Sequence, residues 1–101
     1  MQHFPIFVTL TAQPCLVVGA GPVALRKIRL LRKANASITV VAPEVCDELA
    51  NEFGNEITHV KRKFRPEDIS GYRLIIAATN DPDVNKQVSE LAQAVHVPGN
   101  V

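Results

Sequence analysis

The sequence has no tryptophan, one tyrosine, one methionine and only two cysteines in 101 residues. Two cysteines cannot form the disulfide framework of a small secreted domain, and neither lies in a C-x-x-C pair. We therefore expect Cys15 and Cys46 to be structural thiols in a reducing, cytoplasmic setting. The net charge is only +1, which excludes a global field that would attract nucleic acid or an anionic membrane. The longest apolar run is far too short for a transmembrane helix, and the N-terminus lacks the basic region of a secretory signal.

Aliphatic residues dominate the rest of the composition. Hydrophobic residues make up 47% of the chain, although aromatic residues make up only 5%. This composition excludes a disordered, collagenous or low-complexity chain. A length of 101 residues supports one modest hydrophobic core, so we expect residues 1–101 to form a single domain.

Short apolar runs alternate with segments of helical periodicity along the chain. The apolar runs predict an edge strand and then five further strands, at residues 4–10, 15–18, 38–42, 57–64, 74–78 and from His96 onwards. The segments between them predict three helices, at residues 22–34, from Pro43 and Glu44 to a cap at Gly54, and from the capping carboxylate of Asp81 onwards.

Strands that alternate with helices pair in parallel through right-handed crossovers. We therefore predict an α/β fold, with a doubly wound, mostly parallel Rossmann-like sheet and helices on both faces. In such a sheet the ligand cleft lies outside the carboxyl ends of the strands. The residues that follow each predicted strand are consequently the first place to look for function.

Residues 19–24 match the pattern G-x-G-x-x-A, directly after an apolar strand and at the start of an amphipathic helix. Gly19 permits the tight turn out of the strand, Gly21 lets the backbone approach a pyrophosphate, and Ala24 allows the helix to pack closely on the sheet. The amino end of the helix offers unpaired N–H groups and the positive end of its dipole to phosphates. In this context the motif predicts dinucleotide binding; the alternative is a glycine turn that only reverses the chain.

The strand at residues 38–42 lacks the terminal carboxylate that normally binds the adenosine ribose. Ala42 and Pro43 stand at its tip, and the first acidic residue is Glu44. Glu44 either reaches the ribose or stabilises the amino end of the next helix. Because no arginine stands at this tip to bind a 2′-phosphate, the sequence favours NAD over NADP.

Other polar and charged residues leave two interpretations open. Thr79 follows the strand at residues 74–78, at the same sheet edge as the glycine loop, and either contacts the cofactor or belongs to a turn. We expect the basic residues to form solvated faces, and the alternative is that some of them hold an anionic substrate. They are Arg26, Lys27, Arg29, Arg32, Lys33, Lys61, Arg62, Lys63 and Arg65. The three histidines have no metal-ligand spacing, so we predict no metal site.

Six segments in combination are far more specific than the glycine loop alone. They are residues 5–7 (Pro-Ile-Phe), 15–24 (Cys-Leu-Val-Val-Gly-Ala-Gly-Pro-Val-Ala), 26–27 (Arg-Lys), 30–31 (Leu-Leu), 76–85 (Ile-Ala-Ala-Thr-Asn-Asp-Pro-Asp-Val-Asn) and 100–101 (Asn-Val). With these segments, essentially the whole chain resembles the amino-terminal domain of the siroheme synthase family. That family comprises precorrin-2 dehydrogenases, some of which also act as sirohydrochlorin ferrochelatases.

The resemblance implies an NAD-dependent oxidation of precorrin-2 to sirohydrochlorin on the route to siroheme, with Fe²⁺ insertion in some members. It assigns cofactor contacts to Pro22 and Val23 at the helix start and to Pro43 and Glu44 after the strand. The tetrapyrrole substrate bears many carboxylates, which would give the basic residues a role. The glycine loop and the end of the strand at residues 74–78 add further candidates. The expected cofactor-binding residues are Gly19, Ala20, Gly21, Pro22, Val23, Pro43, Glu44 and Thr79.

Family members continue beyond the pair that matches Asn100 and Val101. Their continuation carries an aspartate proposed as the acid–base group and a helical dimerisation region, so the resemblance implies a homodimer for the full-length protein. We therefore name no catalytic residue within residues 1–101. Hydride transfer needs both reactants held in one geometry, so we expect this chain alone to bind cofactor without useful turnover.

A regulatory domain of an ion-transport system is the alternative function. Such domains share the doubly wound sheet, the glycine loop and a similar fourth strand, and they bind NAD or ATP as an effector without chemistry. The missing carboxylate after residues 38–42 and the Pro-Ile-Phe leader at residues 5–7 speak against this alternative.

Overall fold

The computed structural model describes residues 12–94 and 99–100 of the chain. Strands and helices alternate in it, except between the third and fourth strands, where a short 3₁₀-helix replaces an α-helix. The strands are β1 (Pro14–Val18), β2 (Ser37–Val41), β3 (Thr58–Val60), β4 (Leu74–Ala77) and β5 (Gly99–Asn100). The helices are α1 (Pro22–Lys33), α2 (Asp47–Phe53) and α3 (Pro82–Ala94), and the 3₁₀-helix spans Pro66–Ile69.

The five strands form one sheet in the order β3-β2-β1-β4-β5, and each neighbouring pair is parallel. The chain winds from β1 outward to β3 and then returns to the opposite side of β1 as β4. The predicted doubly wound α/β fold is therefore confirmed. The strand order reverses between β1 and β4, and sheets of this kind bind their ligands at that reversal.

Residues of β1 alternate between two hydrophobic clusters, one on each face of the sheet. Cys15 and Val17 pack with α1 and α2, whereas Leu16 and Val18 pack with the 3₁₀-helix and α3. All four side chains are almost completely buried. A central parallel strand covered on both faces is apolar throughout, and the predicted placement of helices on both faces is confirmed.

The helix α1 begins where its sequence predicts. Pro22 occupies the first helical turn, where no backbone donor is needed. Ala24, Ile28 and Leu31 are completely buried against the sheet, as the spacing of i, i+4 and i+7 requires. The helix is followed by Asn35, which adopts a left-handed φ of 58° and turns the chain toward β2. Within the described residues, no helix is long and apolar enough to cross a membrane.

The prediction that Pro43 and Glu44 open the second helix is wrong, because α2 begins at Asp47. Cys46 is extended, with φ −66° and ψ 151°. Its N–H donates to the carbonyl oxygen of Ala20, at an N···O distance of 3.1 Å. This hydrogen bond holds the loop before α2 against the glycine turn, so the helix starts later than its proline and acidic residue suggest.

The third strand is shorter than the predicted residues 57–64, since β3 contains only Thr58–Val60. The N–H of Arg62 donates to the carbonyl of Val60 at 3.0 Å, which ends the extended pairing with β2. The Arg62 guanidinium then donates to both carboxylate oxygens of Asp68, at 2.7 and 2.5 Å. This ion pair lies directly after the end of β3.

Two further predicted boundaries cannot be compared. The edge strand at residues 4–10 and the start of the last strand at His96 lie outside the described residues. The part of the last strand that is described, β5, pairs with β4 in parallel.

Candidate functional site

A cleft of about 450 Å³ opens at the carboxyl ends of β1, β2 and β4, on the side of the sheet that carries α1. It contains six of the eight predicted cofactor-binding residues. Its lining consists of Gly19, Ala20, Gly21, Ala42, Pro43, Glu44, Val45, Cys46, Ala78, Thr79 and Asn80. The other two predicted residues, Pro22 and Val23, begin α1 directly beside this lining. Residues as distant in sequence as Gly19 and Asn80 are therefore brought to one edge of the sheet.

Gly19 forms the tight turn that leaves β1, and the fold itself requires a glycine there. Its φ is +116°, a backbone conformation that residues other than glycine rarely adopt. A Cβ atom would lie 2.7 Å from the carbonyl carbon of Ala78 and closer still to its oxygen. The N–H of Gly19 donates to the carbonyl of Val41 at 3.0 Å, so this residue joins the ends of β1, β2 and β4.

Gly21 stands in open space, in contrast to Gly19. Its φ is −94°, and a Cβ atom there would have no neighbour within 4 Å in the part of the chain that the structure describes. Packing of the domain therefore does not explain a glycine at this position. The side of the residue that a Cβ would occupy remains accessible to a ligand that approaches the backbone.

The amino end of α1 offers backbone donors at the mouth of the cleft. The first hydrogen bond of the helix runs from the N–H of Leu25 to the carbonyl of Gly21, at 2.9 Å. The N–H groups of Val23 and Ala24 precede it and have no partner within the helix. No side chain caps this end and no acidic residue lies in the first turn. Val23 is 44% exposed, although it is apolar. This end of the helix suits an anion, and phosphate fits it.

The tip of β2 supplies the opposite wall of the cleft. Here Pro43 and Glu44 are exposed and line the cleft. Within residues 12–94, Glu44 is the only charged residue in the lining. The alternative that Glu44 stabilises the next helix has little support, because α2 begins at Asp47 and carries its own acidic residues in the first turn.

His59 supports this wall from β3, although no sequence motif predicts that role. Its Nε2 lies 3.0 Å from the carbonyl oxygen of Ala42, directly before Pro43. The N–H of Ala42 donates to the carbonyl of Val60 at 3.2 Å. The end of β3 thus holds the end of β2 through both backbone groups of one residue. No motif signals this role, because it depends on the strand register.

The loop between β4 and α3 supplies the third wall. The Oδ1 of Asp81 accepts the N–H of Asp83 at 2.9 Å, so the predicted capping role of Asp81 is confirmed. Thr79 takes part in the turn and also lines the cleft. Its hydroxyl oxygen lies 3.1 Å from the carbonyl oxygen of Asp81, and the residue belongs to the lining. Asn85 adds hydrogen bonds to Thr79 that the sequence analysis did not anticipate.

Several basic residues are engaged in ion pairs within the domain. Hydrogen bonds from Arg29 lower the pKa of the Glu52 carboxyl, and hydrogen bonds from Arg62 lower the pKa of the Asp68 carboxyl. These arginines are therefore already paired with carboxylates of the domain, which favours the solvated-face interpretation over binding of an anionic substrate for them. The pairs are Arg29–Glu52 at 2.7 Å, Arg32–Glu56 at 3.3 Å and Arg62–Asp68 at 2.5 Å.

A second, smaller cleft of about 290 Å³ opens at the same edge, on the side of the sheet that carries α3. It shares Gly19, Ala42 and Pro43 with the first cleft, and Lys63 lines it. Of the basic residues considered for an anionic substrate, Lys63 is therefore placed at the functional edge.

The two cysteines differ in their surroundings. Cys15 is completely buried in β1, and burial raises the pKa of its thiol to about 11. Cys46 is half-buried and lines the first cleft. Residues 12–94 contain no group of three or more side chains placed to hold a metal ion.

The fold and the cleft define a doubly wound nucleotide-binding domain, and comparison with known proteins agrees. Residues 6–101 match the model of a protein family described as "Putative NAD(P)-binding". The chain belongs to this NAD(P)-binding family, and its cofactor is a nucleotide.

Individual siroheme synthases and one precorrin-2 dehydrogenase are also similar to this chain. The whole chain aligns with a siroheme synthase from Thioalkalivibrio sulfidiphilus at 50% identity and covers 21% of that protein. It also aligns over its whole length with a siroheme synthase from Methylobacillus flagellatus, at 48% identity, and covers 22% of that protein. A solved structure of SirC, a precorrin-2 dehydrogenase, superposes with a TM-score of 0.75 at 36% identity, over 88% of this chain and 44% of that protein. The chain thus spans about a fifth of the length of the curated relatives it matches.

Proposed function

We propose that the cleft binds NAD, extended across the carboxyl edge of the sheet. The pyrophosphate lies over Gly21 at the amino end of α1, the adenosine against Pro43 and Glu44, and the nicotinamide half toward Thr79. The observation that carries the proposal is the union of these three walls in one cleft. The open side of Gly21 and the unpaired donors of the helix support it, because they meet the geometric and electrostatic needs of a pyrophosphate.

The charge of the lining supports NAD in preference to NADP. Among the described residues, Glu44 is the only charged one in the lining, and a carboxylate can accept a hydrogen bond from a ribose 2′-hydroxyl. A 2′-phosphate at the same position would face a like charge, with no cation among the described lining residues to offset it. We therefore assign discrimination between the two dinucleotides to Glu44.

We infer further that the chain is the nucleotide-binding part of an NAD-dependent precorrin-2 dehydrogenase, which oxidises precorrin-2 to sirohydrochlorin. The similarity to a precorrin-2 dehydrogenase in both sequence and structure supports this substrate. Bound NAD would supply the hydride acceptor, and the residues of this chain would hold and orient it. A substrate with many carboxylates suits the placement of Lys63 at the same edge. The relatives compared above are biosynthetic enzymes, which favours this function over the transport-regulator alternative.

The same resemblance extends the proposal to the full-length protein. It would be a cytoplasmic homodimer that acts on a tetrapyrrole, and in members with ferrochelatase activity Fe²⁺ would be the second substrate. We assign no catalytic residue and no iron-binding residue among those described.

Titration of the chain with NADH tests the cofactor proposal directly. Since the chain contains no tryptophan, the emission of NADH can be followed without interference from that fluorophore. We expect saturable binding, weaker for NADPH than for NADH. A folded sample that leaves NADH emission unchanged up to millimolar concentration would contradict the proposal.

The dehydrogenase proposal needs a separate assay with the longer protein. Growth of reduced-nicotinamide absorbance on mixing NAD with precorrin-2 is the expected result. Binding of the dinucleotide without turnover in that longer protein would instead support an effector-binding role.

A further inference from the structure

The side chain of Asn85 makes several hydrogen bonds to one residue, Thr79, at the edge of the cleft. Its Oδ1 accepts the N–H of Thr79 at 3.0 Å and lies 2.7 Å from the Thr79 hydroxyl oxygen. Its Nδ2 donates to the carbonyl oxygen of Thr79 at 3.1 Å. The carboxamide thus satisfies both backbone groups of Thr79, just beyond the last residue of β4. An amide side chain offers a donor and an acceptor together, whereas a carboxylate cannot make the same pair of contacts.

The residue that Asn85 holds belongs to the wall of the cleft. Ala78, Thr79 and Asn80 all line it. The paired residues of β1 and β4 end at Val18 and Ala77. At that end, the N–H of Ala78 donates to the carbonyl of Val18 at 2.8 Å. Beyond it, the side chain of Asn85 provides the hydrogen bonds that fix the backbone of Thr79.

We propose that Asn85 is a positioning residue of the dinucleotide site, which acts through Thr79 to hold the wall that faces the nicotinamide half. This inference rests on the proposed NAD site and deepens it. Asn85 is half-buried on the first turns of α3 and is not part of the lining of the cleft that contains the glycine loop. It lines an adjoining cleft of about 490 Å³ together with Thr79 and Asn80. The effect proposed here on a ligand in the glycine-loop cleft is indirect, through the backbone of Thr79.

The test compares NADH with ADP, which lacks the nicotinamide half. In Asn85→Ala we expect the affinity for NADH to fall about tenfold, about the effect of one net hydrogen bond, and the affinity for ADP to change less than about twofold. Asn85→Asp keeps the size and the acceptor but loses the donor to the Thr79 carbonyl, so an intermediate loss is expected. Asn51→Ala makes the same substitution on the exposed face of α2, is the matched control and should bind both ligands like the wild type.

Each outcome decides the proposal. A folded Asn85→Ala variant that binds NADH as tightly as the wild type, or loses ADP and NADH affinity equally, overturns it. If both variants unfold, the wild-type protein decides: NADH, but not ADP, should shift the side-chain amide resonance of Asn85, and an unshifted resonance overturns the proposal. Failure of the wild type to bind NADH at all would instead overturn the proposed function.

Discussion

Two glycines of one loop provide the most discriminating perturbation of this domain. In Gly19→Ala the new methyl group would meet the backbone of Ala78 at under 3 Å, at a residue whose φ is +116°. Strain of this backbone kind costs about 1–3 kcal/mol. The neighbour cannot retreat readily, because Ala78 is buried and its N–H is bonded to Val18. Overpacking adds roughly 1–3 kcal/mol, so the total is a large part of the ~5–15 kcal/mol that stabilises a typical domain.

Gly21→Ala should behave in the opposite way. Its φ of −94° suits alanine, and none of the described residues lies within 4 Å of the new methyl group. The free energy of unfolding should change by less than about 1 kcal/mol. The methyl group would, however, occupy the space through which a pyrophosphate reaches the backbone, so NADH affinity should fall at least about tenfold.

Chemical denaturation and NADH titration of the two variants separate these effects. Gly19→Ala should lose stability first, whereas Gly21→Ala should lose affinity at unchanged stability. The reasoning is refuted if Gly21→Ala binds NADH like the wild type while folded. It is equally refuted if Gly19→Ala is as stable as the wild type.

Three further predictions concern charge and thiol chemistry. Glu44→Gln should reduce the preference for NADH over NADPH by about threefold to tenfold, measured as a ratio of dissociation constants; an unchanged ratio would remove Glu44 from cofactor selection. Asp68→Asn should lower the free energy of unfolding by about 1–3 kcal/mol at neutral pH, since the Asp68 side chain is only 9% exposed and binds Arg62. The pKa of Asp68 is lowered in the folded state. The difference in unfolding free energy between variant and wild type should therefore be present above the ordinary aspartate pKa and vanish as pH falls through the pKa of the folded state. A pH-independent difference would contradict the ion pair. Cys46 should react with a thiol reagent long before Cys15, whose pKa is raised to about 11 by burial, and NADH should slow the reaction of Cys46; equal rates would contradict the burial difference.

The sequence predicts those parts of the fold that depend on local pattern. The apolar run before Gly19 and the spacing of Ala24, Ile28 and Leu31 identify β1 and α1 because burial and period leave no other arrangement. The start of α2 is mispredicted, since a hydrogen bond between Cys46 and the distant Ala20 decides it. Local propensity carries no information about such a contact.

The same distinction applies to the site. The glycine motif identifies the loop that contains Gly21, because each of its positions has a separate steric role. His59 and Asn85 hold the neighbouring walls through contacts to backbone groups. Such contacts depend on strand register and on the packing of α3, and a single sequence does not reveal either.

Amide chemical-shift mapping with NADH tests the central claim most directly, because it reports the location of binding as well as its strength. The dinucleotide site predicts the largest shifts at Gly19, Ala20 and Gly21, at Glu44 and at Thr79, with little change along the exposed face of α2. Shifts concentrated away from the carboxyl edge of the sheet, or none at saturating NADH in a folded sample, would contradict the assignment of this cleft.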